Sequence, residues 1–314
     1  MKAYTHLIII CLAFFCFSTE AQTLTRGPYL QMGNQTALTI HWRTDVPTNS
    51  KVCFGTSISN LNQTAVDNSL VTEHEIRLFS LTPDTRYFYE IGSTTTVLQG
   101  AADNYFVTAP PLSTTRKIRV AGFGDSGSGS QNQRDVRDAF LNFRGTNPTD
   151  VMLLMGDNAY DYGSEQEYQN LFFNVYKDNL LKNSKLYPVI GNHDYVNSDA
   201  YNAYRGDPVH YYDCFTLPQN GECGGVASGT EAYYSFDYGG IHFVMMDSYG
   251  TEGGKKLYDT TGIQAQWLKA DLAANTQKWT IAVMHHPPYT KGSHNSDAEG
   301  DLVLIRQQIG RAHV

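Results

Sequence analysis

Two kinds of hydrophobic patterning divide the chain. From about residue 23 to residue 111, apolar and polar side chains alternate in short runs broken by turn residues. Examples are Ala37-Leu38-Thr39-Ile40-His41-Trp42, Glu75-Ile76-Arg77-Leu78, Tyr87-Phe88-Tyr89-Glu90-Ile91 and Tyr105-Phe106-Val107. A period of two, with no helical stretch between the runs, predicts a β-sandwich. Pro110-Pro111-Leu112-Ser113-Thr114-Thr115 reads as the linker that follows it. After Lys117, short apolar runs alternate with polar stretches whose apolar residues recur at helical spacing. These stretches are 131–143, 164–182 and 262–275, where Ile263, Trp267, Leu268 and Leu272 lie near one face. That alternation predicts an α/β domain.

The apolar runs of the second region share an ending. Run 118–124 leads to Asp125, 151–156 to Asp157 with Tyr160 three residues on, 187–191 to Asn192 and His193, 241–246 to Asp247, and 280–284 to His285. Short runs rich in Val, Ile, Leu and Met are buried strands by pattern. In open α/β sheets ligands collect outside the carboxyl ends of the strands, so residues far apart in sequence are expected to meet in one crevice. Hard oxygen and imidazole donors at that crevice predict bound metal ions. Asp247 reads as a turn residue, and His286 faces differently from its neighbour His285; neither is assigned to the metal.

Composition narrows the picture. At 314 residues the chain is long enough for two domains and a sizeable core. A formal net charge of −8, with no Lys/Arg-rich run, excludes nucleic acid as the main partner, because a phosphate backbone needs a basic footprint. Met1-Lys2, the apolar stretch 7–17 and Ser18-Thr19-Glu20-Ala21 read as a secretory signal cleaved after Ala21. The stretch is too short to span a bilayer. The mature chain is therefore expected to be secreted, with no membrane association. Of five cysteines, Cys53, Cys214 and Cys223 remain after cleavage. In an oxidising compartment Cys214 and Cys223 could be bridged across the Gly-rich loop 217–229, or stay free.

Each strand-end motif has its own chemistry. Gly124-Asp125-Ser126-Gly127 presents a carboxylate at a tight turn. Asp157, in Gly156-Asp157-Asn158-Ala159-Tyr160, is a carboxylate able to bridge two cations. The Tyr160 phenol is a good ligand only for an ion polarising enough to lower its pKa from about 10, which hints at ferric iron. Asn192 offers a neutral carbonyl oxygen, and His193 can donate to a phosphate or act as a general acid. Beyond His285, Pro287 and Pro288 fix the chain.

In order, these motifs read GDxG, GDxxY, GNH and MHxP, and with them the chain resembles the purple acid phosphatases of the calcineurin-like metallophosphoesterase superfamily. Most of that superfamily carries DxH in the first motif. Gly127 stands where that His would be and Tyr160 takes up its role, the mark of the purple acid phosphatase branch. Leu81-Thr82-Pro83-Asp84-Thr85-Arg86-Tyr87-Phe88-Tyr89 also resembles the fibronectin type III signature, in which a Tyr hydroxyl closes a corner onto nearby backbone; Trp42 would be its core residue.

With the signal peptide read over 1–21, the resemblance implies a fibronectin type III-like β-sandwich over 22–113 and an α/β metallophosphoesterase sandwich domain over 117–314. It implies an acid phosphatase that hydrolyses small phosphate monoesters by metal-bound hydroxide at a dinuclear centre of Fe(III) with Zn, Fe or Mn as the divalent ion. By position, Asp125 and Tyr160 would bind the ferric ion, Asp157 would bridge, and Asn192 and His285 would hold the divalent ion. His193 and His294 would contact the phosphate and help protonate the leaving alkoxide. A phosphodiesterase or nucleotidase of the same superfamily is one alternative; an exported binding protein with an inactive catalytic domain is another. The family's last motif, GHxH, is not found in this sequence. The chain therefore reads as truncated before it, with the α/β domain incomplete and one imidazole missing from each ion.

Overall fold

The computed structural model describes residues 22–195, 209–250, 254–291, 295, 297, 300 and 303–305. The signal segment 1–21 and His294 lie outside the described residues. The period-two runs of the first region form β1 (Leu24–Gln31), β2 (Leu38–Gly55), β3 (Gln63–Leu78), β4 (Arg86–Gly92) and β5 (Val97–Val107). β2 breaks register between Arg43 and Thr48 against β3. Its first half pairs with β1 and its second half with β4, while β3 follows both halves. A strand that changes partners in mid-course folds the sheet on itself, as at the corners of sandwiches. Leu30, Ile40, Trp42, Val52, Ile76, Tyr87 and Phe106 fill the resulting core. Trp42 is 1% exposed and stacks on His74. Tyr87 Oη accepts a hydrogen bond from the Thr82 amide at 3.0 Å, which is the corner the sequence predicts.

The second region places β6 (Val120–Phe123), β7 (Val151–Met155) and β8 (Lys185–Val189) in parallel, in the order β8-β7-β6. Two crossovers connect them. The first is α1 (Gln131–Arg144), whose Ser130 cap accepts from the Gln133 amide. The second is α2, a helical run over 165–181 that mixes α turns with π-helical stretches Tyr168–Phe173 and Lys177–Leu181. After the short α3 (His210–Cys214) come β9 (Tyr234–Tyr238), β10 (Ile241–Met245), α4 (Ile263–Ala274) and β11 (Trp279–Val283). β9 and β10 pair antiparallel, β10 and β11 parallel, and this sheet is separate from β6–β8. One open sheet, as the strand-end argument supposes, is thus replaced by two sheets that face each other. Tyr187 of β8 stacks on Phe236 of β9 with ring centroids 3.7 Å apart, at the centre of the shared core.

The two regions are joined by more than the linker. β1 pairs in parallel with β8 at Leu30 and Lys185, so the strands of the sandwich and β6–β8 belong to one sheet. Three buried phenols tie the seam at 2.8 Å each: Tyr29 Oη donates to Cys214 O, Tyr187 Oη to Gly33 O, and Tyr89 Oη to Lys182 O. The Lys185 ammonium donates to Val107 O at 2.8 Å, and burial lowers its pKa to about 8.

Cys214 and Cys223 are free, buried thiols, so the bridge across the Gly-rich loop is not formed. Cys214 ends α3 with Arg26 Nη1 3.8 Å from its sulfur, while Cys223 lies against Tyr187 and Arg77. Burial pushes the two thiols up to about 12 and about 11.

Candidate metal centre

Two strand ends build the floor of the site. Asp125 after β6 and Asp157 after β7 both adopt left-handed backbone, with φ of 52° and 53°, and the Asp125 amide donates to Gly156 O at 3.1 Å. Aspartate tolerates this region better than most residues, which lets both chains turn sharply while the carboxylates stay in the crevice. Gly127 brings the two turns into backbone contact. A Cβ there would lie 2.1 Å from Asn158 O, and the Tyr160 amide donates to Gly127 O at 3.0 Å. The result is the seating of Tyr160, whose Oη lies 2.6 Å from Asp125 Oδ1 and 2.8 Å from Asp157 Oδ2. One phenolic proton is shared between two carboxylates, and burial together with those carboxylates raises the phenol's pKa far above its usual value.

The other sheet supplies the imidazole. His285 follows β11 and fits over Gly156, where any Cβ would come within 2.6 Å of the ring. Its Nδ1 donates to Met155 O at 3.0 Å, and its Nε2 lies 3.1 Å from Asn192 Oδ1 and 3.3 Å from Asp157 Oδ2. Burial disfavours the imidazolium, but the hydrogen bond and charge of Asp157 outweigh it and raise His285 to about 9. Donor atoms of Asp125, Asp157 and His285 all lie within 4.8 Å of one another. The structure therefore brings together Asp125, Asp157, Tyr160, Asn192 and His285, from the ends of β6, β7, β8 and β11.

His193 borders the same floor. Its amide donates to Asp157 Oδ1 at 2.9 Å, its Nδ1 pairs with Asp161 O at 2.8 Å, and its ring lies 4.4 Å from that of Tyr160. Asp247 is 1% exposed and accepts from the Tyr249 and Gly250 amides of its own turn and from Tyr195 Oη. His286 turns instead to Ser248 Oγ at 2.9 Å.

Residues 118–309 match the family model of the calcineurin-like phosphoesterases, and residues 25–109 match that of the purple acid phosphatase N-terminal domain. The chain belongs to the calcineurin-like phosphoesterases, and its N-terminal region carries the purple acid phosphatase N-terminal domain. It is 28% identical over 293 residues to purple acid phosphatase 15 of Arabidopsis thaliana, a match covering 80% of this chain and 51% of that protein. Against mouse (Mus musculus) acid phosphatase type 7 it is 25% identical over 340 residues, covering 94% and 69%. The chain thus spans about half the length of the plant relatives it matches. The fold is shared with the purple acid phosphatase PPD1 from yellow lupin (Lupinus luteus), at a TM-score of 0.65 and 16% identity over 83% of this chain and 51% of that one.

Around this crevice lies a layer of residues that the strand-end pattern does not single out. Asp194 is fully buried and accepts from the Gly191 amide at 2.7 Å, the Asn158 amide at 2.9 Å, Asn158 Nδ2 at 3.0 Å and Tyr168 Oη at 2.7 Å. It locks the turn after β7 to the turn after β8. Desolvation nonetheless raises its carboxyl to about 6. Glu167 closes a capping box with Ser164 at the start of α2 and also accepts from the Asp161 and Tyr162 amides at 2.6 and 3.1 Å. The spacing Ser164-Glu165-Gln166-Glu167 is a visible capping-box signal. Nothing in the spacing of Asn158 or Asp194 distinguishes them from ordinary turn residues.

The assembled donors comprise two carboxylates, a phenol, an amide oxygen and an imidazole. Such a set fits hard or borderline cations and leaves no soft ligand for copper(I) or an iron–sulfur cluster. His285 has the support expected of an imidazole ligand, its second nitrogen donating to a backbone carbonyl so that Nε2 faces the crevice.

Proposed function

We propose that this chain carries the dinuclear centre of a secreted acid phosphatase acting on small phosphate monoesters, with Fe(III) and a divalent Zn, Fe or Mn ion. Asp125 and Tyr160 would hold the ferric ion, Asp157 would bridge, and Asn192 and His285 would hold the divalent ion. When bound, such a pair of ions draws in phosphate oxygens and acidifies a water for in-line attack. The observation that carries the reading is the Tyr160 hydroxyl between two carboxylates. A phenol whose proton is held this firmly gives it up only to a strongly polarising cation.

The chain's own side chains account for binding and proton handling. The His193 amide steadies Asp157 through Oδ1. Because its Nδ1 donates to Asp161 O, the ring can donate from Nε2 only as the imidazolium. In that form it can hold a phosphate oxygen and deliver a proton to the leaving alkoxide. His294 is proposed as a second phosphate contact.

Metal analysis with a visible spectrum tests this reading. The purified protein is expected to retain iron with a tyrosinate-to-iron absorption band, and to turn over p-nitrophenyl phosphate faster than its bis ester. Tyr160→Phe is expected to abolish the band and to weaken iron binding at least about tenfold, as losing even a supporting contact does in metal sites. A protein that retains no iron would overturn the proposal.

A further inference from the structure

We infer that the N-terminal sandwich is a positioning element of the metal centre, acting through Glu165 on the loop that carries Tyr160. Arg26 of β1 has its side chain 1% exposed, and its guanidinium lies 4.2 Å above the Phe173 ring. It donates to Glu165 Oε1 at 2.6 Å and to Gln169 Oε1 at 2.9 Å. Arg43 of β2 bonds the same Glu165 oxygen and pairs with Glu73 of β3 at 2.8 Å. Two strands of the sandwich thereby grip the first turn of α2, and Glu73 of the third steadies Arg43. A half-buried carboxylate between two guanidinium groups is fixed in orientation by their planar donors.

From Glu165 the contacts run directly to the site. Glu167, two residues further along the same turn, accepts from the Asp161 and Tyr162 amides and from the Ser164 amide and hydroxyl. The Asp161 and Tyr162 amides are the backbone immediately after Tyr160. The carbonyl of Asp161 in turn receives His193 Nδ1. Moving the first turn of α2 therefore moves the peptide that seats both the Tyr160 phenol and the His193 ring. No part of the sandwich needs to touch a metal ion for this to hold. Glu165, Glu167, Arg26 and Arg43 are positioning residues.

The assignment of Tyr160 to iron rests on the reading under Proposed function, so the test has one arm independent of it. In metal-free protein, amide exchange at Asp161 and Tyr162 is compared between the parent and Glu165→Gln, Arg43→Gln and Glu167→Gln. Glu167→Gln removes the charge and one of the two local acceptor oxygens; the other two act only at a distance. All three are expected to speed exchange at these two amides by about tenfold or more, while amides of β7 keep their parental rates. Arg43→Lys, which keeps the charge, should recover part of the protection. The second arm loads the same variants with ferric iron and reads the position of the tyrosinate band, which should shift in Glu165→Gln and Arg43→Gln. Parental exchange at Asp161 and Tyr162 in both distant variants would overturn the inference, even with Glu167→Gln perturbed. A parent that binds no iron would sink the phosphatase reading alone and leave the exchange result to decide this one.

Discussion

At position 127 a methyl group would stand 2.1 Å from the carbonyl oxygen of Asn158, closer than any side chain can sit. The glycine is there so that two strand-end turns can touch, and only with that contact does the Tyr160 phenol reach both carboxylates. Gly127→Ala is therefore expected to cost about 1–3 kcal/mol by overpacking, read as a lower Tm, and to shift any tyrosinate band. An unchanged Tm would show that the turns can part without penalty. At this scale the pattern put Asp125, Asp157, Asn192 and His285 at the ends of apolar runs, and the structure brings these four side chains to one crevice. It was silent on Asn158 and Asp194. Both are polar residues in turns, and only the burial that the fold imposes gives them a task.

Elements are held in place by charge as well as by packing. His242 of β10 lies between Asp237 of β9 and Asp271 of α4, its ring nitrogens 2.8 Å from each carboxylate and its side chain 2% exposed. Burial opposes the imidazolium, but hydrogen bonds to Asp237 and Asp271 and their charges prevail and raise its pKa from 6.5 to about 9. The folded state thus binds this proton more tightly than the unfolded chain. Its contribution, up to about 3 kcal/mol, should be complete below the unfolded pKa and disappear as pH rises through the folded one. Thermal melts from pH 6 to 10 should show that decline, and His242→Gln should flatten it; parallel profiles for the two proteins would rule the cluster out as its source. Strand and helix positions were largely readable, since 131–143, 164–182 and 262–275 carry helical periodicity and become α1, α2 and α4. Their partners were not. Periodicity identifies a buried face without saying which sheet covers it, so the sandwich was implied by the resemblance alone, and the structure bears it out as β6–β8 facing β9–β11. Cysteine spacing likewise left the bridge open, and burial of the two thiols in different surroundings settled it.

For the molecule as a whole, the change in patterning near Lys117 announced two folding patterns but not their fusion. Tyr29, Tyr89, Tyr187 and Lys185 each bury a polar atom at the seam with a partner from the other side. Separating the regions would strand those groups, at about 1–3 kcal/mol for each one left unsatisfied. The described residues are accordingly expected to unfold in one cooperative transition, with calorimetric and van't Hoff enthalpies in agreement. Two resolved transitions would mean that the seam is weaker than its hydrogen bonds suggest. The strand pairing of Leu30 with Lys185 has a further consequence for ancestry. A sandwich that shares a sheet with its neighbour is not a cassette that can be exchanged by shuffling gene segments. A foreign replacement would have to reproduce the edge of β1, the guanidinium of Arg26, the phenols of Tyr29 and Tyr89 and the carbonyl of Gly33 at once, so the two halves are expected to be inherited, and to drift, as a pair.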